Sequence, residues 1–265
     1  MMDPQPQPAA AIELRGVVKH LGGERVLDGV DLVVPKGEVT VLIGPSGAGK
    51  SVTIRHILGL IDPSAGFIWV DGRSVTAATE EELNEIRRSI GVVLQGVLPF
   101  SCGLFYSLDV YENVAFPLRE RTRWPEERID RTTMEALATV GLADWARYMP
   151  NELSSGMSKR VAIARALALE PRIVIVDDFD SGIDGVRLAL LCEVLRETQQ
   201  RTGATYLLTT HDMAAARRLA DRLAVIHRGR IVASGPATEV LASDQPVARQ
   251  LVSGAAAGPI RLRDP

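Results

Sequence analysis

A glycine-rich loop near residue 50 ends in an ammonium and a hydroxyl. It consists of Gly44, Pro45, Ser46, Gly47, Ala48, Gly49, Lys50 and Ser51, and it fits the pattern G-x-x-x-x-G-K-S. Glycines allow successive backbone N–H groups to point inward at phosphate oxygens. Lys50 would reach the β- and γ-phosphates of a nucleotide, and the Ser51 hydroxyl would hold Mg²⁺. The loop therefore predicts a nucleoside triphosphate site.

The residues on both sides of the loop favour this interpretation. The apolar run 39–43 predicts a strand before it, and residues 52–60, beginning with Val52, predict a helix after it. In a strand–loop–helix unit the positive end of the helix attracts phosphate. The alternative is a glycine-rich turn that binds no ligand. Lys50 and Ser51, directly after Gly49, argue against that alternative.

Two carboxylates follow a second apolar run. Residues 173–176 predict a buried strand, and Asp177 and Asp178 come directly after it. Acids at the carboxyl end of a parallel strand lie where α/β sheets bind ligands. Asp177 fits the role of holding Mg²⁺, and Asp178 fits that of orienting or deprotonating the attacking water. The alternative is an exposed pair in an ordinary turn, where aspartate is common.

A third motif, residues 153–157, precedes a helix predicted over 158–169. Serine at a helix start is normally an N-cap. The same position can also present free N–H groups and the positive helix end to a phosphate. Both interpretations remain open from these residues alone.

The composition limits the class of protein. The net charge of −3 on 265 residues does not indicate a broad nucleic-acid-binding surface. No apolar run reaches the ~18 residues of a membrane-spanning helix. Residues 1–11 lack the pattern of a secretory signal, and we expect them to form a disordered arm. Cys102 and Cys192 are expected to be reduced thiols, as in a cytoplasmic protein.

Strands alternate with helices along most of the chain, which predicts an α/β fold with a mainly parallel sheet covered on both faces. Residues 12–34 differ, because apolar and polar residues alternate there around Gly22 and Gly23. That alternation predicts two antiparallel strands ahead of the glycine-rich loop.

The order of the motifs resembles the nucleotide-binding subunits of ABC transporters. The glycine-rich loop corresponds to Walker A, 153–157 to the signature and 173–178 to Walker B. Gln95 follows a predicted strand, residues 181–184 resemble a D-loop, and His211 resembles the switch histidine. The resemblance covers about residues 12–241, nearly the whole chain.

The resemblance implies an α/β fold with a P-loop NTPase (RecA-like) core, an N-terminal antiparallel β subdomain and an α-helical subdomain inserted at about 96–157. The ATPase domain is expected over 12–241, between the arm at 1–11 and a C-terminal tail at 242–265. In this family two subunits enclose two ATP molecules beneath a transmembrane permease. The expected partners are therefore a permease and a second copy of the chain, and no nucleic acid is expected. The expected location is the inner face of the plasma membrane.

The resemblance also implies a role for each matching residue. Contacts to ATP are expected from 44–51, from Val52, and from the second subunit's copies of Ser154, Ser155, Gly156 and Asp184. Mg²⁺ would be held by Ser51, Gln95 and Asp177, and hydrolysis would involve Asp178, His211 and Gln95.

A narrower resemblance points to the Mce/Mla lipid-transport ATPases. It rests on residues 111–120, on methionine rather than glutamine at Met157, and on the tail segments 244–251 and 258–260. That family powers movement of lipids or sterols through a permease and a tube of Mce proteins. An ABC importer ATPase for another solute is the alternative, since the permease chooses the cargo. Soluble ABC ATPases of translation or DNA repair usually carry fused cores, coiled coils or zinc-finger insertions, and none is predicted here.

Four positions depart from the family pattern. Asp178 replaces the usual glutamate, which withdraws the carboxylate, and misplacing a catalytic group by ~1 Å can cost on the order of 10²-fold in rate. Phe179 replaces proline and Ser155 replaces glycine. Leu21, beside His20, stands where an aromatic residue would stack on adenine. These departures predict slow hydrolysis, with a regulatory subunit that only binds ATP as the alternative.

Aromatic residues concentrate between positions 100 and 116, in a segment longer than the family leads us to expect. They are Phe100, Phe105, Tyr106, Tyr111 and Phe116. An apolar surface for the permease and packing of the helical subdomain both explain this cluster. The sequence does not choose between them.

Overall fold

The computed structural model describes residues 5–94 and 102–261. Its strands are β1 (Ala10–Leu21), β2 (Glu24–Pro35), β3 (Val39–Ile43), β4 (Ala65–Val70), β5 (Arg73–Ser74), β6 (Ile90–Val93), β7 (Ile173–Val176), β8 (Thr205–Thr210), β9 (Arg222–His227) and β10 (Arg230–Pro236). Its α-helices are α1 (Lys50–Ile57), α2 (Glu80–Arg88), α3 (Val110–Arg121), α4 (Glu126–Thr139), α5 (Ser155–Leu167), α6 (Gly185–Thr202), α7 (Met213–Leu219), α8 (Ala237–Leu241) and α9 (Pro246–Ser253). Two 3₁₀ turns, Ala143–Trp145 and Pro150–Glu152, connect α4 to α5.

The strands form two sheets. The larger has the order β10-β9-β3-β8-β7-β6, in which every pairing is parallel except that of the edge strand β10 with β9. The smaller is antiparallel, with the order β2-β1-β4-β5. The predicted fold class, an α/β core with an N-terminal antiparallel β subdomain and an inserted helical subdomain, is confirmed.

The central strands are apolar on both faces because each face packs against a separate core. In β7, Val174 and Val176 belong to a cluster built largely from the helices α3 to α7. Ile173 and Ile175 belong to a second cluster with α1 and the antiparallel sheet. Burial on both faces explains the continuous aliphatic run that β7 shows in the sequence.

A buried amide in α3 anchors the loop that precedes this helix. Asn113 of α3 is fully buried, and its Nδ2 donates to the carbonyl oxygens of Phe105, Leu108 and Asp109 at 2.9–3.0 Å. Its Oδ1 accepts from the Phe105 N–H at 2.8 Å. This side chain therefore fixes the backbone of the loop before α3, including that of Phe105.

Several element bounds differ from those expected from the sequence. β1 begins at Ala10 rather than at residue 12, because Ala10 and Ala11 are buried against the sheet. α5 begins at Ser155 rather than 158, because Ser154 caps it. The predicted tail includes helix α9, whose Val247 and Ala248 are buried in the core.

Candidate active site

The glycine-rich loop lies between β3 and α1, and two of its glycines are required by close packing. A Cβ at Gly44 would lie 2.2 Å from the carbonyl oxygen of Ile226 in β9. Gly49 has a φ of +109°, and a Cβ there would lie 2.7 Å from Leu27 Cδ2. The loop can pass this close to its neighbours only without side chains at these two positions.

Lys50 is folded back into this loop. The residue is only 7% exposed, and its Nζ donates to the carbonyl oxygens of Gly44 at 2.7 Å and Pro45 at 2.8 Å. Burial lowers the pKa of Lys50, while the charges of Asp178 and Asp177 act in the opposite direction. The ammonium thus lies in a pocket that disfavours its charge, where an anionic ligand would stabilise it.

The acidic pair at the end of β7 is held by a threonine from the adjacent strand β8. Thr209 is fully buried, and its Oγ1 donates to Asp177 Oδ1 at 2.7 Å. The same oxygen accepts the backbone N–H of Asp178, also at 2.7 Å. One hydroxyl therefore orients the Asp177 carboxylate and anchors the backbone of Asp178.

Asp178 occupies an uncommon backbone conformation, with a φ of +55°. Residues other than glycine are rare in this region because of steric contact with the Cβ. The turn directs the Asp178 carboxylate toward His211, with Oδ1 3.7 Å from His211 Nε2. The His211 side chain is itself 45% exposed.

These groups surround one cavity of about 210 Å³. Its lining consists of Ser46, Gly47, Gly49, Lys50, Ser51, Val52, Asp177, Asp178 and His211. The fold thus gathers the loop, the acidic pair and the histidine, although they are far apart in sequence. Gly44, Pro45 and Ala48 shape the loop without lining the cavity, and Gln95 lies outside the described residues.

The signature residues line a different cavity, of about 110 Å³. Ser154, Gly156 and Asp184 contribute to it. Ser154 is the N-cap of α5, and its Oγ accepts the Met157 N–H at 3.3 Å. No residue that the structure describes lines both this cavity and the one around Lys50. Within one chain, the described signature residues therefore do not line the cavity around Lys50.

Residues 181–184, which resemble a D-loop, pack directly on the start of α5. A Cβ at Gly156 would lie 2.6 Å from the carbonyl oxygen of Gly182. A Cβ at Gly182 would lie 2.6 Å from Ser155 Oγ of the same chain. Asp184 caps α6 by accepting the Arg187 N–H at 3.1 Å, and this bond and the Arg187 side chain lower the pKa of Asp184.

The structure shows where the side chains of two other departures from the family pattern lie. Phe179, in place of proline, is fully buried, so its ring fills the core beneath the acidic turn. Leu21, at the end of β1, is 43% exposed and could cover a ligand only by apolar contact.

The aromatic cluster divides between the two interpretations that the sequence left open. Tyr111 is buried in the helical core. Phe105 and Phe116 are 45% and 41% exposed, and their rings meet edge to face at 5.2 Å between centroids. Both rings line a groove of about 620 Å³ between the helical subdomain and the core. Phe100 lies outside the described residues.

Sequence reasoning missed two residues of this region, Thr209 and Lys159. Thr209 stands two positions before His211, at the carboxyl end of a strand parallel to β7. Lys159 lies on the buried face of α5 and is 2% exposed. For Thr209, the available signal in the sequence was a hydroxyl at the end of a strand. For Lys159, it was a lysine among small and apolar residues of a helix.

Comparison with known proteins identifies the same family as the motifs in the sequence. A family model described as ABC transporter matches residues 27–181. The chain is 41% identical over 254 residues to the probable ribonucleotide transport ATP-binding protein mkl of Mycobacterium tuberculosis, covering 96% of this chain and 69% of mkl. It is 35% identical over 257 residues to the intermembrane phospholipid transport system ATP-binding protein MlaF of Escherichia coli, covering 97% and 94%.

Among solved structures, the chain resembles the ATP-binding cassette MJ0796 in a dimeric post-hydrolysis state bound to ADP and Pi. The TM-score is 0.77 at 31% identity, over 85% of this chain and 98% of that one. Within residues 5–94 and 102–261 we find no helix with the length and apolar character needed to cross a bilayer.

Proposed function

The chain belongs to the ABC transporter family of ATP-binding proteins and is an ATPase, and we propose that it energises a membrane permease of the Mce/Mla type that moves lipids or sterols. The gathering of Lys50, Ser51, Asp177, Asp178 and His211 around one cavity carries the ATPase part of this proposal, and the alignment along 94% of MlaF carries the lipid part.

In the proposed reaction, the backbone amides of the loop and the Lys50 ammonium bind the β- and γ-phosphates of ATP. Asp178 orients a water for attack on the γ-phosphorus, with ADP as the leaving group, and His211 contacts the γ-phosphate. Exchange of the Gly44 and Pro45 carbonyls for phosphate oxygens would relieve the cost of burying the Lys50 charge.

The donor set at the cavity fits Mg²⁺, which prefers oxygen ligands. Ser51 and Asp177 line the same cavity, and Thr209 already fixes one oxygen of the Asp177 carboxylate. Ser51 and Asp177 would hold the ion, and Gln95 is the third proposed ligand. When bound, Mg²⁺ would neutralise charge on the β- and γ-phosphate oxygens.

The separate position of the signature supports a working unit of two copies. The cavity around Lys50 lacks Ser154, Ser155, Gly156 and Asp184, so a second copy must supply them if they are to reach the γ-phosphate. A dimeric structure is known for MJ0796. We therefore propose a homodimer that encloses two ATP molecules.

The groove beside Phe105 and Phe116 is the proposed docking surface for the permease on the inner face of the membrane. Phe116 and Glu120 of α3 line it, and both belong to the segment 111–120 that resembles the Mce/Mla ATPases. A segment that differs between subfamilies at a docking groove is suited to select the permease, and through it the cargo. Phe116→Asp is expected to abolish co-purification with the permease, while Tyr148→Asp, equally exposed but outside the groove, retains it.

The relatives are named for different cargoes, namely phospholipid, ribonucleotide and methionine. The cargo of this chain is therefore a proposal. Lipid is favoured because the chain aligns along 94% of MlaF and because residues 111–120 resemble the Mce/Mla ATPases. An ABC importer for another solute is the second candidate, and an ATP-binding regulatory subunit is the third.

The test is to purify the chain with its membrane subunits and to reconstitute the complex in lipid nanodiscs. We expect Mg²⁺-dependent phosphate release that Lys50→Ala abolishes and that Lys36→Ala, an exposed lysine outside the site, leaves unchanged. Transfer of labelled phospholipid or sterol with ATP supports the lipid proposal. Stimulation by ribonucleotide or methionine alone would refute it, and equal rates in wild type and Lys50→Ala would refute ATPase function.

A further inference from the structure

A buried lysine in the signature helix contacts the catalytic turn. Lys159 of α5 is 2% exposed, and its Nζ donates to the backbone carbonyl oxygen of Asp178 and, at 2.8 Å, to Ser181 Oγ. Neither the glycine-rich loop nor the lining of the cavity includes it. The proposed reaction therefore leaves this ammonium without a direct role.

The carbonyl that Lys159 holds belongs to the residue with the unusual backbone. Asp178 has a φ of +55°, which its Cβ disfavours. Its N–H is fixed by Thr209, and its carbonyl oxygen is fixed by Lys159 and, at 3.3 Å, by the Ser181 N–H. Both polar backbone groups of this residue are thus held from outside the turn, and the direction of the carboxylate follows from them.

The same helix contacts the following segment at a second point. Gly156 approaches the carbonyl of Gly182 so closely that a Cβ would lie 2.6 Å away. The signature helix and residues 178–182 of one chain are therefore joined by backbone packing and by the Lys159 ammonium.

Burying a lysine at this position costs free energy unless the hydrogen bonds of its ammonium offset that cost. Desolvating an ammonium is costly, and a methionine would fill the same space between α5 and the turn without that cost. The neighbouring buried positions of α5, such as Val161 and Ala162, are small or apolar. Packing alone does not account for the charge.

We propose that Lys159 is a positioning residue for ATP hydrolysis, whose ammonium fixes the backbone of Asp178 and links the signature helix to the catalytic turn. The inference rests on the proposed role of Asp178. Because Lys159 does not contact the phosphate-binding loop, its loss slows hydrolysis and leaves ATP binding unchanged. Arginine, which retains charge and donors, preserves part of the function.

The test compares Lys159→Met with Arg196→Met in the full-length chain. Arg196 is the control, since it donates to a backbone carbonyl, that of Leu219, and also pairs with Asp221, away from the cavity. We expect Lys159→Met to lower kcat by about tenfold or more, toward the 10²-fold loss that a displacement of ~1 Å can cause. The Kd for ATP should stay within about twofold of wild type, and Lys159→Arg should recover part of kcat. A kcat for Lys159→Met within twofold of wild type, or a loss equal to that of Arg196→Met, overturns the proposal.

Hydrogen exchange without nucleotide gives a readout that does not depend on turnover. Backbone amides of 177–183 should exchange faster in Lys159→Met than in wild type, while those of 44–51 should not change. Unchanged exchange at 177–183 overturns the inference, whereas absence of phosphate release from wild type would instead refute the proposed reaction. If Lys159→Met does not fold, Lys159→Gln removes the ammonium and keeps a polar side chain at this position. It should lower kcat at unchanged ATP Kd, and an unchanged kcat would overturn the proposal.

Discussion

Replacement of Thr209 by valine removes one hydroxyl and keeps the shape of the side chain. That hydroxyl donates to Asp177 Oδ1 and accepts the Asp178 N–H, both at 2.7 Å, at a position with no solvent exposure. Valine can make neither bond, and the buried setting admits no ready replacement by solvent. The change therefore tests whether this one oxygen organises both acids.

The expected loss of stability follows from the two bonds. A hydrogen bond to a charged group contributes about 1.5–3 kcal/mol, and an amide left without a partner costs about 1–3 kcal/mol. Since such losses within one network are not additive, we expect a total of about 3–4 kcal/mol. At roughly 2–3 °C per kcal/mol for a chain of this size, the melting temperature should fall by about 6–12 °C.

The expected functional loss follows from the orientation of Asp177. Groups that orient a metal-binding carboxylate typically change metal affinity or activity by about 10–100-fold when they are removed. We therefore expect the Mg²⁺ concentration for half-maximal phosphate release to rise by about tenfold or more in Thr209→Val.

The assays are thermal unfolding without nucleotide and phosphate release across a Mg²⁺ titration. Thr209→Ser is the control, because it keeps the hydroxyl and loses only a methyl group, at about 1 kcal/mol. A Thr209→Val protein that melts within 2 °C of Thr209→Ser, by the same conversion of roughly 2–3 °C per kcal/mol, and needs no more Mg²⁺ would refute the role we give to this oxygen.

Three further predictions concern other groups. Asp178→Glu extends the carboxylate toward the cavity and should raise steady-state phosphate release, by about tenfold if its position limits the rate; an equal or lower rate would count against that explanation. Lys50→Met should raise the melting temperature of the nucleotide-free chain while it abolishes ATP binding, because burial lowers the pKa of Lys50. The cost of the buried charge is present below that lowered pKa and is relieved above it, so the difference between the two proteins, followed by calorimetry, should shrink as pH rises toward 10.5; a constant difference would be inconsistent with this cause. Burial raises the pKa of Cys192 to about 11, so only about 0.1% of this thiol is ionised at pH 8. Iodoacetamide should label it far more slowly in the native than in the unfolded chain, as mass spectrometry can measure, and equal rates would contradict its burial.

The proposed nucleotide site could be predicted from the sequence because its parts are local. Residues 44–51 need only their own order to form a phosphate-binding loop, and Asp177 and Asp178 need only a strand before them. His211 was identified by resemblance to a family rather than by local chemistry. Its position 3.7 Å from Asp178 depends on the pairing of β7 with β8.

Contacts between distant residues could not be predicted in the same way. Thr209 is 32 residues from Asp177, and Lys159 is 19 residues from Asp178. The split of the aromatic cluster into buried Tyr111 and exposed Phe116 also depends on which face of α3 meets the core.

The order of residues along the chain determined the chemistry that this protein can perform, because backbone amides, an ammonium and carboxylates act through groups that neighbours in sequence hold in place. Tertiary structure alone decided how those groups are aimed. The direction of Asp178 depends on Thr209 and Lys159, which reach it from another strand and from the signature helix. It is likewise a property of the folded chain that the signature residues line a cavity of their own, because the packing of α5 decides which residues its first turn meets.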